Sequence, residues 1–272
     1  MIVTGAAQGF GEGIARCLIQ QGANIVVADL NDGGRRQNRR EPQRAGRKPP
    51  GDLRQDERSR HGECLRELIR QNGLRIRRTD AFISNAGVLR AGGLGGDDAR
   101  ELEFVTKINY NAYFYCAQAA SRVMKLQNKY LRRKLPRHHP DQSSKSGPAG
   151  VESQFRLCGR ANLAVSALHA IVPLLELAPF RIKVNAVCPG NFYEGPPWSN
   201  PENGLFPAQH LHAGKVPGAK TIEDARASTR RRYRCGKGTG PEDVTKAVLY
   251  LIDQTCETGQ ALPVTGGQVM LS

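Results

Sequence analysis

Thr4-Gly5-Ala6-Ala7-Gln8-Gly9-Phe10-Gly11 carries the spacing T-G-x-x-x-G-x-G. Glycines so placed let the backbone turn sharply and leave room for a ligand to approach the main chain. The glycine pattern alone is weak, and its flanks give it force. Ile2-Val3-Thr4 reads as the end of a strand that begins unusually close to Met1. Gly5–Gly13 reads as a glycine-rich turn, and Ile14-Ala15-Arg16-Cys17-Leu18-Ile19 sets apolar residues at helical spacing until Gly22 stops them. Asn24-Ile25-Val26-Val27-Ala28-Asp29 is a second buried strand, ending in an acid. Strand, glycine turn, helix and strand make one βαβ unit, the building block of a parallel sheet. In such a unit the helix N-terminus presents N–H groups and a positive dipole end to a pyrophosphate. An acid at Asp29 can accept hydrogen bonds from both ribose hydroxyls and repels a 2′-phosphate. Gly5, Gln8, Gly9, Phe10, Gly11 and Asp29 are therefore candidate cofactor-binding residues, and NAD is expected over NADP.

Beyond Asp29 the alternation breaks down. Residues 31–75 form a basic stretch, RRQNRREPQRAGRKPPGDLRQDERSR and its flanks, with too few apolar side chains to bury. A second helix and third strand belong there in a doubly wound protein; Cys64–Ile69 alone has helical spacing. Order resumes at Ala81-Phe82-Ile83-Ser84, a strand running into Asn85-Ala86-Gly87. Glu101–Lys125 reads as one long helix with Phe104, Ile108, Ala112, Tyr115 and Ala119 near one face. A strand is expected just before Ser143, although HHPDQ suits one poorly. Ala161–Leu177 has helical character interrupted by Pro173. Arg181–Cys188 is a strong strand closed by Pro189-Gly190, and Asn191–Lys220 is a Pro/Gly-rich loop. Pro241–Ile252 reads as a helix and Ala261–Val264 as a last strand. The expectation is an α/β protein: a three-layer, doubly wound Rossmann fold with a mostly parallel sheet, degraded around its second helix and third strand. Residues 1–272 form a single domain on this reading, with 31–75 as a basic, poorly ordered insert and 191–235 as a substrate lid.

Composition narrows the class. The formal net charge of +15 admits an anionic partner. Much of it falls between Arg35 and Arg78, in a run without the aromatic residues that stack on bases, which argues against nucleic acid. Seven scattered cysteines without a C-x-x-C pair fit reduced thiols in a cytoplasmic protein. The pairs His138/His139 and His210/His212 lack further ligands, so no metal site is expected. No signal peptide is visible, and the most apolar run, Ala161–Phe180, is too interrupted to span a membrane.

TGAAQGFG, the acid at Asp29, SNAG at Ser84–Gly87, Asn109, SSKSG at Ser143–Gly147 and VNAVCPG at Val184–Gly190 follow in one order. That order resembles the short-chain dehydrogenases/reductases over nearly the whole chain, with gaps at roughly 31–75 and 127–180. The last third, including CPGNFYEGPPWSNPENGLF, PEDVTKAVLYLI and ETGQALPVTGGQVML, is similar to the branch of sorbitol-6-phosphate dehydrogenases and fused sugar-phosphate aldolase/dehydrogenases. The short first strand would suit a fragment of such a fusion or a misplaced start codon. The resemblance implies an NAD-dependent oxidoreductase for a sugar alcohol, sugar phosphate or small hydroxy-aldehyde, assembled as a homo-oligomer, commonly a tetramer. It implies that Asn85, Ala86 and Gly87 line the adenine side of the cofactor and that Pro189 and Gly190 flank the nicotinamide. It gives Ser144 the substrate oxygen and Asn109 a water in a proton relay.

The same resemblance exposes a gap. Family chemistry pairs a tyrosine base with a lysine one helical turn later, because a nearby ammonium lowers the phenol pKa. The tyrosine falls about thirteen residues after the serine; here thirteen past Ser144 is Leu157, and four further is Ala161. Counting from Ser143 gives Arg156 and Arg160, which keep a positive charge but offer no phenol. Tyr130 and Lys134 have the Y-x-x-x-K spacing but precede the serine, on a different helix. Leu157–Arg160 can be encoded so that a shifted frame reads Tyr-Ala-Gly, and Ala161–Val165 so that another reads Lys-Phe-Gly-Gly. An out-of-frame segment is therefore one reading of the missing pair. A catalytically inactive dinucleotide-binding or subunit-interface protein is the alternative.

Overall fold

A computed structural model gives the arrangement of residues 1–29, 79–88, 99–130, 137–142, 176–199, 216–231 and 234–267. Its central feature follows from alternation along the strands. β1 (Ile2–Thr4) lies between β2 (Val26–Ala28) and β3 (Phe82–Ile83), parallel to both. Ile2 pairs with Val26 and Phe82, and these three side chains enter one apolar cluster. Val3 and its partner Ile83 point the other way, into a second cluster. Successive strand residues face opposite sides, so both faces of the sheet must be covered.

Helices supply the cover. α1 (Gly9–Gln20) buries Ile14, Ala15 and Leu18 on the Val3 side. α2 (Ala99–Thr106), a π-helical turn (Lys107–Asn111) and α3 (Ala112–Tyr130) run on, and α3 buries Cys116, Ala119, Ala120 and Met124 on the Ile2 side. β4 (Arg137–Gln142) pairs in parallel with β5 (Ile182–Pro189), which pairs with β6 (Ala261–Val264). The strands form two three-stranded ladders, β2-β1-β3 and β4-β5-β6, and β3 lies beside β4. The chain order reverses between β1 and β3, the switch point where α/β sheets open a crevice. α4 (Pro196–Ser199) is a single turn; α5 (Ile222–Arg230) and α6 (Pro241–Asp253) complete the described helices. α6 lies with α1 on the Val3 side, burying Val244, Val248 and Leu251. This is the doubly wound α/β class expected, layered helix–sheet–helix.

Several local expectations need correction. The glycine turn is shorter than Gly5–Gly13, because α1 begins at Gly9. A Cβ at Gly13 would lie 2.1 Å from Cβ of Pro241, so that glycine serves the close crossing of α1 and α6. The long helix does not present Phe104 and Tyr115 inward: they are exposed, while Val105, Tyr113, Cys116 and Ala120 are buried. The π turn inserts a residue between the two α-helical stretches and shifts the phase that uniform helical counting assumes. β5 starts at Ile182, since Arg181 is left-handed (φ 58°) and ends a 3₁₀ turn over Ala178–Phe180. The expected loop Asn191–Lys220 contains α4. The poor pattern HHPDQ does form a strand, held by its pairing to the fully buried β5. Residues 31–75, and Ala161 to 175 of the expected helix, lie outside the described residues.

Lys183 is buried on β5. Its Nζ donates to the carbonyls of Leu251 (2.8 Å) and Gln254, at the C-terminal end of α6. Those carbonyls have no intrahelical donor, and a cation there also meets the negative dipole end. Burial pulls the ammonium below the usual lysine pKa, against the opposing charges of Glu257, Asp253 and Cys256. Asn185 ties the next turn, donating to the Glu257 carbonyl (2.9 Å) and accepting from the Gln260 N–H (3.0 Å).

Candidate active site

Because the strand pairings are parallel, the carboxyl ends of β1, β2, β3 and β5 open on one edge. Gly5, Asp29, Asn85 and Gly190 follow those ends, so the topology gathers residues spread over most of the chain.

Gly5 and Gly9 are left-handed (φ 62° and 63°), a conformation that admits glycine at little strain. A Cβ on Gly5 would approach Ala86 Cα to 2.7 Å, and one on Gly11 would sit 2.3 Å from both Asn85 Nδ2 and the Gly5 carbonyl oxygen. The loop is thus pressed against the turn after β3. Asn85 holds the two together: Nδ2 donates to the carbonyls of Thr4 (2.9 Å) and Gly5 (3.0 Å). The Thr4 hydroxyl accepts from the N–H groups of Asn85 (3.0 Å) and Ala86 (3.1 Å). Gln8, the exposed N-cap of α1, makes no side-chain cap. The helix end therefore keeps the N–H character and dipole that suit a phosphate.

Asp29 stands just past β2, half-buried, and Oδ2 accepts the Ala7 N–H at 2.8 Å. The acid and the glycine loop form one unit, as their order predicts. A carboxylate beside close-packed glycine backbone fits an adenine dinucleotide: pyrophosphate at the helix end, ribose at the acid.

Asn109 lies within the π turn. Its Oδ1 accepts the Val88 N–H (2.8 Å) and its Nδ2 donates to the Val88 carbonyl (2.9 Å). The amide clasps the Asn85–Val88 turn, and a Cβ added at Gly87 would meet its Oδ1 at 3.6 Å, an ordinary contact. Pro189 and Gly190 are buried at the end of β5, and the Gly190 N–H donates to the Val264 carbonyl (2.8 Å). Phe192 follows, its ring 4.9 Å from that of Phe10. Thr239 fastens this segment, donating its N–H to the Asn191 carbonyl (3.0 Å) and its hydroxyl to the Val264 carbonyl (2.9 Å).

The structure brings Gly5, Gln8, Gly9, Phe10, Gly11, Asp29, Asn85, Ala86, Gly87 and Asn109 to one crevice, with Pro189 and Gly190 at its β5 end. Ser144, Leu157, Ala161, Arg156, Arg160 and Lys134 lie outside the described residues. Tyr130 is 70% exposed at the far end of α3. Sequence reasoning missed the anchoring roles of Thr4 and Val88. Thr4 was legible as the first letter of the glycine motif; Val88 acts through its backbone, which leaves no side-chain signal. Among the described residues, no group of three or more His, Cys, Asp or Glu could hold a metal ion. No described helix is long and apolar enough to cross a membrane.

Fold and strand order define an α/β protein of the doubly wound class. Residues 1–130 match the family model described as short chain dehydrogenase. The 2,3-dihydro-2,3-dihydroxybenzoate dehydrogenase of Bacillus subtilis is 27% identical over 97% of this chain and 90% of its own length. Sorbitol-6-phosphate 2-dehydrogenase of Erwinia amylovora superposes with a TM-score of 0.82 at 23% identity, covering 99% of each chain. An actinorhodin polyketide ketoreductase solved with NADPH gives a TM-score of 0.82 at 25% identity, over 98% of this chain and 95% of that one. Over residues 1–130, then, the chain resembles the short-chain dehydrogenases, and its described fold is the one these solved structures share.

Proposed function

We propose that the chain is an NAD-dependent oxidoreductase for a sugar alcohol, sugar phosphate or small hydroxy-aldehyde. It acts as a single domain over residues 1–272, with 191–235 as its substrate lid. The observation that carries the cofactor choice is Asp29: a half-buried carboxylate on the glycine loop, bonded to the Ala7 N–H at 2.8 Å. A second negative charge on the ribose would meet it at close range. The substrate class rests on the likeness of the last third of the chain to the sorbitol-6-phosphate dehydrogenase branch and on the fold shared with such an enzyme.

When bound, the nicotinamide supplies the hydride acceptor. Asn85, Ala86 and Gly87 line the adenine side and Pro189 and Gly190 the nicotinamide side. Asn109 fixes the turn at Val88 and takes the relay position, and Ser144 takes the substrate oxygen. A cytoplasmic homo-oligomer completes the proposal; the exposed Phe114, Tyr115 and Leu126 on α3 offer apolar surface for contact between copies.

A catalytically silent reading is favoured by one observation: Leu157 and Ala161 occupy the places where the base and its lysine are expected. Without a general base, turnover falls by about a hundred- to ten-thousand-fold. Assaying NAD and NADP reduction over a panel of polyols and sugar phosphates separates the two readings. NAD-linked turnover of a polyol supports the enzyme; cofactor binding with no turnover supports the silent protein. The codons for residues 140–180 test the frame explanation, which fails if neither shifted frame spells Tyr and Lys.

A further inference from the structure

Phe10 lies in the first turn of α1, between the loop glycines Gly9 and Gly11, and Phe192 lies two residues past Gly190. Their rings pack with centroids 4.9 Å apart and planes at 37°. The contact joins two parts of the crevice that are far apart in sequence. Phe192 is held tightly from behind. The Gly195 N–H donates to its carbonyl at 3.0 Å, and the Asn191 carbonyl before it accepts the Thr239 N–H at 3.0 Å. A Cβ on Gly195 would come 2.7 Å from Phe192 Cδ1, so this turn accommodates the ring only with glycine there. The next residue, Tyr193, is fully buried and meets Trp198 edge-on at 5.1 Å and 84°. Tyr193 and Ala225 of α5 form a small apolar cluster, with Trp198, Ala219 and Ile222 packed on it. On the other side, Phe10 packs on the core shared by α1 and α6.

A path therefore runs from the glycine loop through the packed rings of Phe10 and Phe192, along one peptide bond to Tyr193, and through its ring to Trp198. We infer that Phe192 is a positioning residue for the dinucleotide: its ring fixes Phe10 and the loop, and it transmits loop occupancy to Trp198. The inference rests on the dinucleotide reading above. Neither ring is charged or needed for hydride transfer, so the effect is on affinity and on coupling. Trp198 is the chain's single tryptophan, so its emission reports this layer without interference from another indole.

The test titrates the full chain with NAD by calorimetry and by tryptophan emission in parallel, after circular dichroism confirms each variant is folded. In the unsubstituted chain the emission change and the heat should saturate at the same midpoint. Phe192→Leu keeps bulk but loses the ring; its NAD affinity should fall by about two- to ten-fold, as for loss of one aromatic pair, and the emission change should disappear. Phe10→Leu should do the same, and Phe192→Tyr should restore both signals. An emission change and affinity unaltered in Phe192→Leu overturn the inference. Heat without any emission change in the unsubstituted chain overturns the coupling and leaves the dinucleotide reading standing. No heat from the folded chain overturns that reading and the inference together.

Discussion

Asp29→Asn isolates the charge on which the cofactor choice rests. Asparagine keeps an oxygen for the Ala7 N–H that Oδ2 now accepts at 2.8 Å, so loop and fold should stay intact. What changes is the field at the ribose. At about 4 Å, two unit charges repel by ~1 kcal/mol in water and ~4 kcal/mol at an effective dielectric of about 20. For a half-buried group an intermediate value of about 2 kcal/mol is reasonable, or about thirty-fold in affinity. NADP should therefore bind about thirty-fold more tightly to the variant. NAD should bind about five-fold more weakly, because hydrogen bonds from the ribose hydroxyls lose their charge assistance, roughly 1 kcal/mol. The NAD/NADP preference should shrink by about a hundred-fold. Calorimetric titration of both cofactors on both proteins reads this out, with thermal melting as the control for folding. A preference unchanged in Asp29→Asn, in a protein that melts normally, would refute the reasoning.

Three further outcomes follow from particular contacts. Gly11→Ala places a Cβ 2.3 Å from Asn85 Nδ2 and the Gly5 oxygen; the overpacking should destabilise by about 1–3 kcal/mol and lower Tm by roughly 2–12 °C, seen by differential scanning fluorimetry. Lys183→Met leaves the Leu251 and Gln254 carbonyls without their donor; urea unfolding should show a loss of about 2–5 kcal/mol. Asp243 is held below its usual pKa: burial opposes the charged form, but the Gly240 N–H and the Lys237 ammonium outweigh it. A depressed carboxylate pKa stabilises the fold above the unfolded value and is lost as pH falls through the folded one. The stability lost in Asp243→Ala should thus be about 0.5–2 kcal/mol at neutral pH and shrink progressively as pH falls below about 4, read by denaturant titration.

Much of this architecture was legible because the relevant signals are local. The spacing of Gly5, Gly9 and Gly11, the apolar run before Asp29 and the strand ending at Gly190 each follow from short-range rules. Parallel pairing then carries their ends to one edge. The errors arose where a neighbour decides. The phase of the long helix depends on a π turn that no propensity marks, and it moved Phe104 and Tyr115 outward. The strand at HHPDQ exists because β5 offers a partner. Lys183 carries no motif, and its role depends on where α6 happens to end. Asn109 could be placed by resemblance, but its clasp on Val88 is a backbone contact that side-chain patterns do not encode.

The central claim is that the loop from Gly5 to Gly11, with Asp29, holds an adenine dinucleotide. Calorimetric titration of the folded chain with NAD tests it most directly. The account predicts a single saturable site at submillimolar NAD, with binding weakened in Asp29→Asn. A flat titration up to millimolar NAD, from a sample with a cooperative melt, would contradict it.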